Sequence, residues 1–91
     1  MSGKFWRGNA TGWESVGGTW VRRFVQRGNN ERARLATVTP NGGGWTWRVE
    51  EYDIKTGNII KEVGHGRRRL LMVQDAQDAA EFMARCEDDG E

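Results

Sequence analysis

Cysteine, histidine and proline each occur once in these 91 residues, and serine only twice. Cys86 alone forms no internal disulfide and fits a reducing compartment; with His65 as the sole histidine, no His/Cys metal site can be assembled within one chain. A Ser-His-Asp site would have to use Ser2 or Ser15, and neither stands in a nucleophile-elbow context. No GxxxxGK[ST] phosphate loop is present, and no run of about 18 apolar residues could span a bilayer. The N-terminal residues carry no apolar signal segment, so a soluble, cytoplasmic chain without membrane attachment is expected. Acidic pairs occur at Glu50-Glu51, at Asp75/Asp78 and in the last five residues. The first pair points to opposite faces of a strand, and all three read as solvated surface. Neither enzymatic activity nor a cofactor is expected.

What is present is a strong separation of charge. Residues 1–74 carry 13 Lys+Arg against 6 Asp+Glu, whereas residues 75–91 carry one Arg against seven acids, so the total of +1 hides +7 beside −6. All five Trp and the single Tyr lie in the basic part. A chain that is cationic and aromatic in one place and anionic in another suggests a binding module. Its length suits one small domain, 1–91, that buries roughly 60–65 % of its unfolded surface.

Three Gly/Asn loop signals divide the middle of the chain: Gly28-Asn29-Asn30-Glu31, Pro40-Asn41-Gly42-Gly43-Gly44 and Lys55-Thr56-Gly57-Asn58. Between them, segments 19–27, 32–39, 45–53 and 58–63 are rich in β-branched and aromatic residues. Short connections favour antiparallel neighbours, so a four-stranded meander over about 19–64 is predicted. Gly17-Gly18 marks a bend or bulge before the first strand. From Asp75 the pattern turns helical. Ala76, Ala79, Ala80, Met83 and Cys86 form one apolar stripe with Phe82 at its edge, and Asp75 is the expected N-cap. The fold class is therefore α+β: a four-stranded antiparallel meander packed on one face by a C-terminal helix over about 74–86. Residues 1–12 and 87–91, without apolar periodicity, are expected to be loose about an ordered core of 13–86.

One helix covers one face of such a sheet, which leaves the other for water, a partner or a second copy. Alternation sets Trp45, Trp47 and Val49 against Thr46, Arg48, Glu50 and Tyr52, and apolar residues fall on both faces of the other strands. Trp47, Val49 and Leu35 are placed under the helix. Arg22, Arg34 and Arg48 are expected to share a face with Trp20 or Tyr52, and Arg67-Arg68-Arg69 to lie in the loop before the helix. Such a surface suits phosphate contact with base stacking. These seven residues, Arg22, Arg34, Arg48, Tyr52, Arg67, Arg68 and Arg69, are the candidate contacts for nucleic acid or another partner.

The stretch Trp45-Thr46-Trp47-Arg48-Val49, the glycines Gly57 and Gly64, and the alanines Ala76, Ala79 and Ala80 resemble a recurring plan. It is similar to the three-stranded-sheet-plus-helix DNA-binding domains of plant ethylene-response factors and phage integrase arms. The resemblance spans about 45–84 and implies a sheet that contacts DNA. The fourth strand and the acidic helix depart from it, so no functional residue is carried over. In general character the chain resembles phage or mobile-element accessory proteins. The expected function is non-enzymatic binding of a macromolecule. A protein partner ranks ahead of DNA or RNA because the total charge is near zero, and a homodimer through the open sheet face is allowed.

Overall fold

The computed structural model describes residues 6–86. Six strands precede one helix: β1 (Trp6–Gly8), β2 (Glu14–Val16), β3 (Thr19–Gln26), β4 (Arg32–Asn41), β5 (Gly44–Asp53), β6 (Ile59–His65) and α1 (Val73–Arg85). All pair antiparallel in one sheet of order β1-β3-β4-β5-β6, with β2 also on β3. The four long strands are the meander that the loop spacing predicts, and the class is α+β.

Two features differ from the sequence reading. Residues 1–5 and 87–91 lie outside the described residues, but Trp6–Gly8, within the stretch expected to be loose, is a strand on β3 with Trp6 only 3 % exposed. Gly17-Gly18 is the two-residue turn of a β2–β3 hairpin, closed by the pair Val16↔Thr19, rather than a bulge. β1 and β2 thus pair with the two ends of the β3 edge. Both were missed because a three-residue strand carries almost no periodicity of its own.

The register of the central hairpin follows from its turn. Gly42 and Gly43 have φ of 55° and 89°, the left-handed pair that a tight two-residue connection requires, and they lock Asn41 opposite Gly44. Every later pair is then set: Thr39↔Thr46, Thr37↔Arg48, Leu35↔Glu50 and Ala33↔Tyr52 on one face, with Val38↔Trp47, Ala36↔Val49 and Arg34↔Glu51 on the other. Directly opposed residues share a face. Trp47 and Val49 lie on the helix side as expected. Leu35 does not, because its partner Glu50 alternates away from Val49.

α1 begins two residues before its expected cap. Met72 occupies the N-cap without a side-chain hydrogen bond, and Asp75 stands in the first turn, where its charge complements the helix N-terminus. The buried stripe is Ala76, Ala80 and Ala84, flanked by Val73 and Met83, while Phe82 is 72 % exposed. Alanines spaced by four let the helix axis approach β4 and β5 closely, above Phe24, Ala36, Val38 and Val49.

At the C-terminal end of α1 the core is polar. Arg34, 1 % exposed, donates through Nε to Glu51 Oε1 at 3.1 Å. Its Nη1 donates to the carbonyls of Ala84 (3.1 Å) and Cys86 (2.8 Å), and its guanidinium lies 4.2 Å from the Trp6 ring centroid. One side chain therefore ties β1, β4, β5 and the helix terminus together. Replacing Arg34 with Ala leaves the buried Glu51 carboxylate with only the 3.5 Å contact to Arg32 and removes the donor to the Ala84 and Cys86 carbonyls; the expected loss is about 3–5 kcal/mol, read as a fall in the urea midpoint. Arg34→Lys should recover little of it, because an ammonium lacks the planar fork that serves three acceptors and a ring at once.

Candidate functional site

The seven residues singled out from the sequence do not form one surface. Arg22 lies opposite Ala36, and Arg34 opposite Glu51, both on the helix side. Arg34 is consumed as described above. Arg22 donates from Nη1 to Glu81 Oε2 at 2.7 Å and from Nη2 to the Asn9 carbonyl at 3.1 Å. The same Glu81 oxygen accepts from Trp13 Nε1 at 2.6 Å, so this pair clasps the N-terminal segment to α1. Arg22, Arg34 and Arg48 are expected to share one accessible face, but Arg22 and Arg34 lie on the helix side and Arg48 on the other. Alternation sends Arg22 inward and Arg23 outward, and the inward pair is held by Glu81 and Glu51.

Arg48 and Tyr52 do lie on the uncovered face, in a four-row array set by register. One row is Glu14, Val21, Thr37, Arg48 and His65. The next is Arg23, Leu35, Glu50 and Glu62. A third is Arg7, Val25, Ala33, Tyr52 and Ile59, and Thr39 with Thr46 closes the array. The described N-terminal residues leave this face open: Trp6 and Trp13 both turn to the helix side.

The β5–β6 part of the face is an ionic network. The side chain of Arg48, 60 % exposed, lies 3.3 Å from Glu62 and 3.9 Å from Glu50. His65 Nδ1 sits 3.1 Å from the other Glu62 oxygen. Arg48, Glu50 and His65, with Thr37, Thr39 and Thr46, line a concavity of about 440 Å³. His65, read as a loop residue, is the last residue of β6. The β1–β3 side differs: Arg7 and Arg23 are exposed, and among the described residues neither has a carboxylate within 4.0 Å. The face is thus cationic toward β1 and β3, mixed toward β5 and β6, and lined between by Val21, Val25 and Leu35.

Arg67, Arg68 and Arg69 are exposed on a short excursion at the β5 edge. Gly66 N–H donates to the Trp47 carbonyl, and Leu70 exchanges both backbone bonds with Trp45, so the chain leaves β5 for only three residues. Arg69 folds back against the β4–β5 turn, where a Cβ on Gly44 would meet its Cγ at 2.5 Å. The run is split: Arg69 packs on the hairpin, and Arg67 and Arg68 are exposed beside it in sequence.

Sequence reasoning missed Arg7, Arg23, Glu50, Glu62, His65 and the three threonines. The signal was available in the two-residue turn at Gly42-Gly43, which fixes the central register, but the position of β1, β2 and β6 relative to it was not. Among the described residues no three His, Cys, Asp or Glu side chains converge as a metal site, and no helix is long and apolar enough to cross a membrane. Fold and face together define a class: a small sheet-plus-helix domain with one sheet face uncovered. No protein-family model, curated protein or solved structure matches the chain.

Removing the ionic head of Arg48 should cost little stability, below about 1 kcal/mol for an exposed pair. Arg22→Ala should cost about 1–3 kcal/mol, since it leaves part-buried Glu81 and the Asn9 carbonyl under-bonded. Urea titrations of the two variants should rank in that order.

Proposed function

We propose that the chain is a non-enzymatic interaction module that binds a protein through its uncovered sheet face. The supporting observation is the composition of that face. It carries three guanidinium groups and three carboxylates, interleaved with half-buried Val21, Val25, Leu35 and Tyr52 and with Ile59, which is 55 % exposed. Protein interfaces join an apolar centre to paired charges at the rim. A nucleic-acid surface needs an excess of unpaired cations instead. Here Arg22 and Arg34 are spent inside the fold, and Arg48 is shared between two glutamates.

A photo-crosslinking side chain placed at Thr37, in the middle of the face, should yield protein adducts in an extract of the source cell. The same group at Asp78, on the outer surface of α1, should yield none. Adducts from Asp78 alone, or none from either position, would overturn this reading. So would tight binding of single- or double-stranded oligonucleotides that weakens by about a thousandfold or more between 50 and 200 mM salt, as neutralisation of six phosphates requires.

A further inference from the structure

We infer that the occupant of the open face is a second copy of this chain, stacked sheet on sheet about a two-fold axis that runs along β4. The inference rests on the protein-binding reading and names its partner. The argument is the pattern of charge across the rows. A two-fold axis in the plane of the interface and parallel to β4 exchanges the positions of β3 and β5, and of β2 and β6, while keeping each row in place. Arg23 then faces Glu50 of the second copy, and Glu14 faces His65. Val25 meets Tyr52, and Leu35 meets Leu35 on the axis. The Arg23–Glu50 match occurs twice, as an isologous interface demands.

The other in-plane two-fold, perpendicular to the strands through the Leu35 row, sets Arg23 on Arg23, Glu50 on Glu50 and Glu62 on Glu62. That arrangement is repelled at each charged position of the row. Between these two axes the charges favour the first, which stacks the two sheets with their strands aligned about 10 Å apart. Arg23 is exposed with no carboxylate within 4.0 Å among the described residues, and the Glu50 carboxylate is 3.9 Å from Arg48, at the limit of a pair. Both have ionic capacity that the single copy leaves unused.

Four strands spaced about 4.8 Å apart and four rows about 6.8 Å apart give an interface on the order of 1,000 Å² in total, at the low end for specific association. The dimer is accordingly weak and depends on concentration.

Sedimentation equilibrium across three decades of concentration, from about 1 µM to about 1 mM, tests this. The mass should rise from one chain toward two. Arg23→Glu and Glu50→Arg should each weaken association by about tenfold or more, and the double variant should return it to within about threefold of the original, because the swap rebuilds both pairs. Circular dichroism melts of the three variants separate loss of association from loss of fold. A single-chain mass at every concentration overturns the inference, as does a dimer indifferent to both single substitutions or a double variant that is not rescued. If the mass stays single while Thr37 crosslinks to a protein of another mass, the second copy is excluded and the protein-binding reading stands. If Thr37 yields no adduct either, both fall.

Discussion

The guanidinium of Arg34 is the constraint on which the rest of the molecule depends. It is a full charge in a nearly dry site, and such a charge is tolerable only where it is paired and hydrogen-bonded. Glu51 on β5, two carbonyls at the end of α1 and the indole of Trp6 supply that environment from four separate elements. The last turn of the helix is thereby fixed over the β4–β5 hairpin. Alanine packing alone would not decide this, because Ala76, Ala80 and Ala84 form a smooth surface that tolerates sliding. The arginine gives the helix a definite stopping place, and it recruits β1 because Trp6 has to lie across it.

The same chemistry, used outward, produces a different surface. Arg22 and Arg23 are neighbours in sequence, yet the first is clasped by Glu81 and Asn9 under the helix and the second stands free on the opposite face. Strand alternation alone separates them. The consequence is that the basic bias of residues 1–74 is not gathered on one face. Arg34 and Arg22 are neutralised where helix and sheet meet, by Glu51 and by Glu81 of the helix. What reaches the open face is a balanced set of charges around half-buried aliphatic residues, and balance of that kind favours another protein over a polyanion.

Much of the fold was legible in the residues. Gly/Asn loops separated by β-branched runs give the meander, and the alanine stripe gives the helix. What failed was the assignment of residues to faces across strands. Leu35 was placed beneath the helix because it is apolar, but register with Glu50 turns it outward. Arg22 and Arg34 were placed outward because they are charged, but register with Ala36 and Glu51 turns them inward. In each case residue type was used where pairing decides, and a shift of one residue would reverse every assignment. The candidate site was legible only at Arg48 and Tyr52. Thr37, Thr39, Thr46 and His65 are ordinary residues until three strands bring them together.

By itself, the order of amino acids settled the class of fold, the number of long strands, the helix and the existence of one uncovered face. Those are local matters: turn residues, periodicity and the width that one helix can cover. Tertiary structure alone decided which arginines are buried, which edge receives β1 and β2, and which charges share the open face. Those outcomes depend on register between strands distant in sequence and on the few carboxylates able to neutralise a cation away from water, and no single segment carries that information.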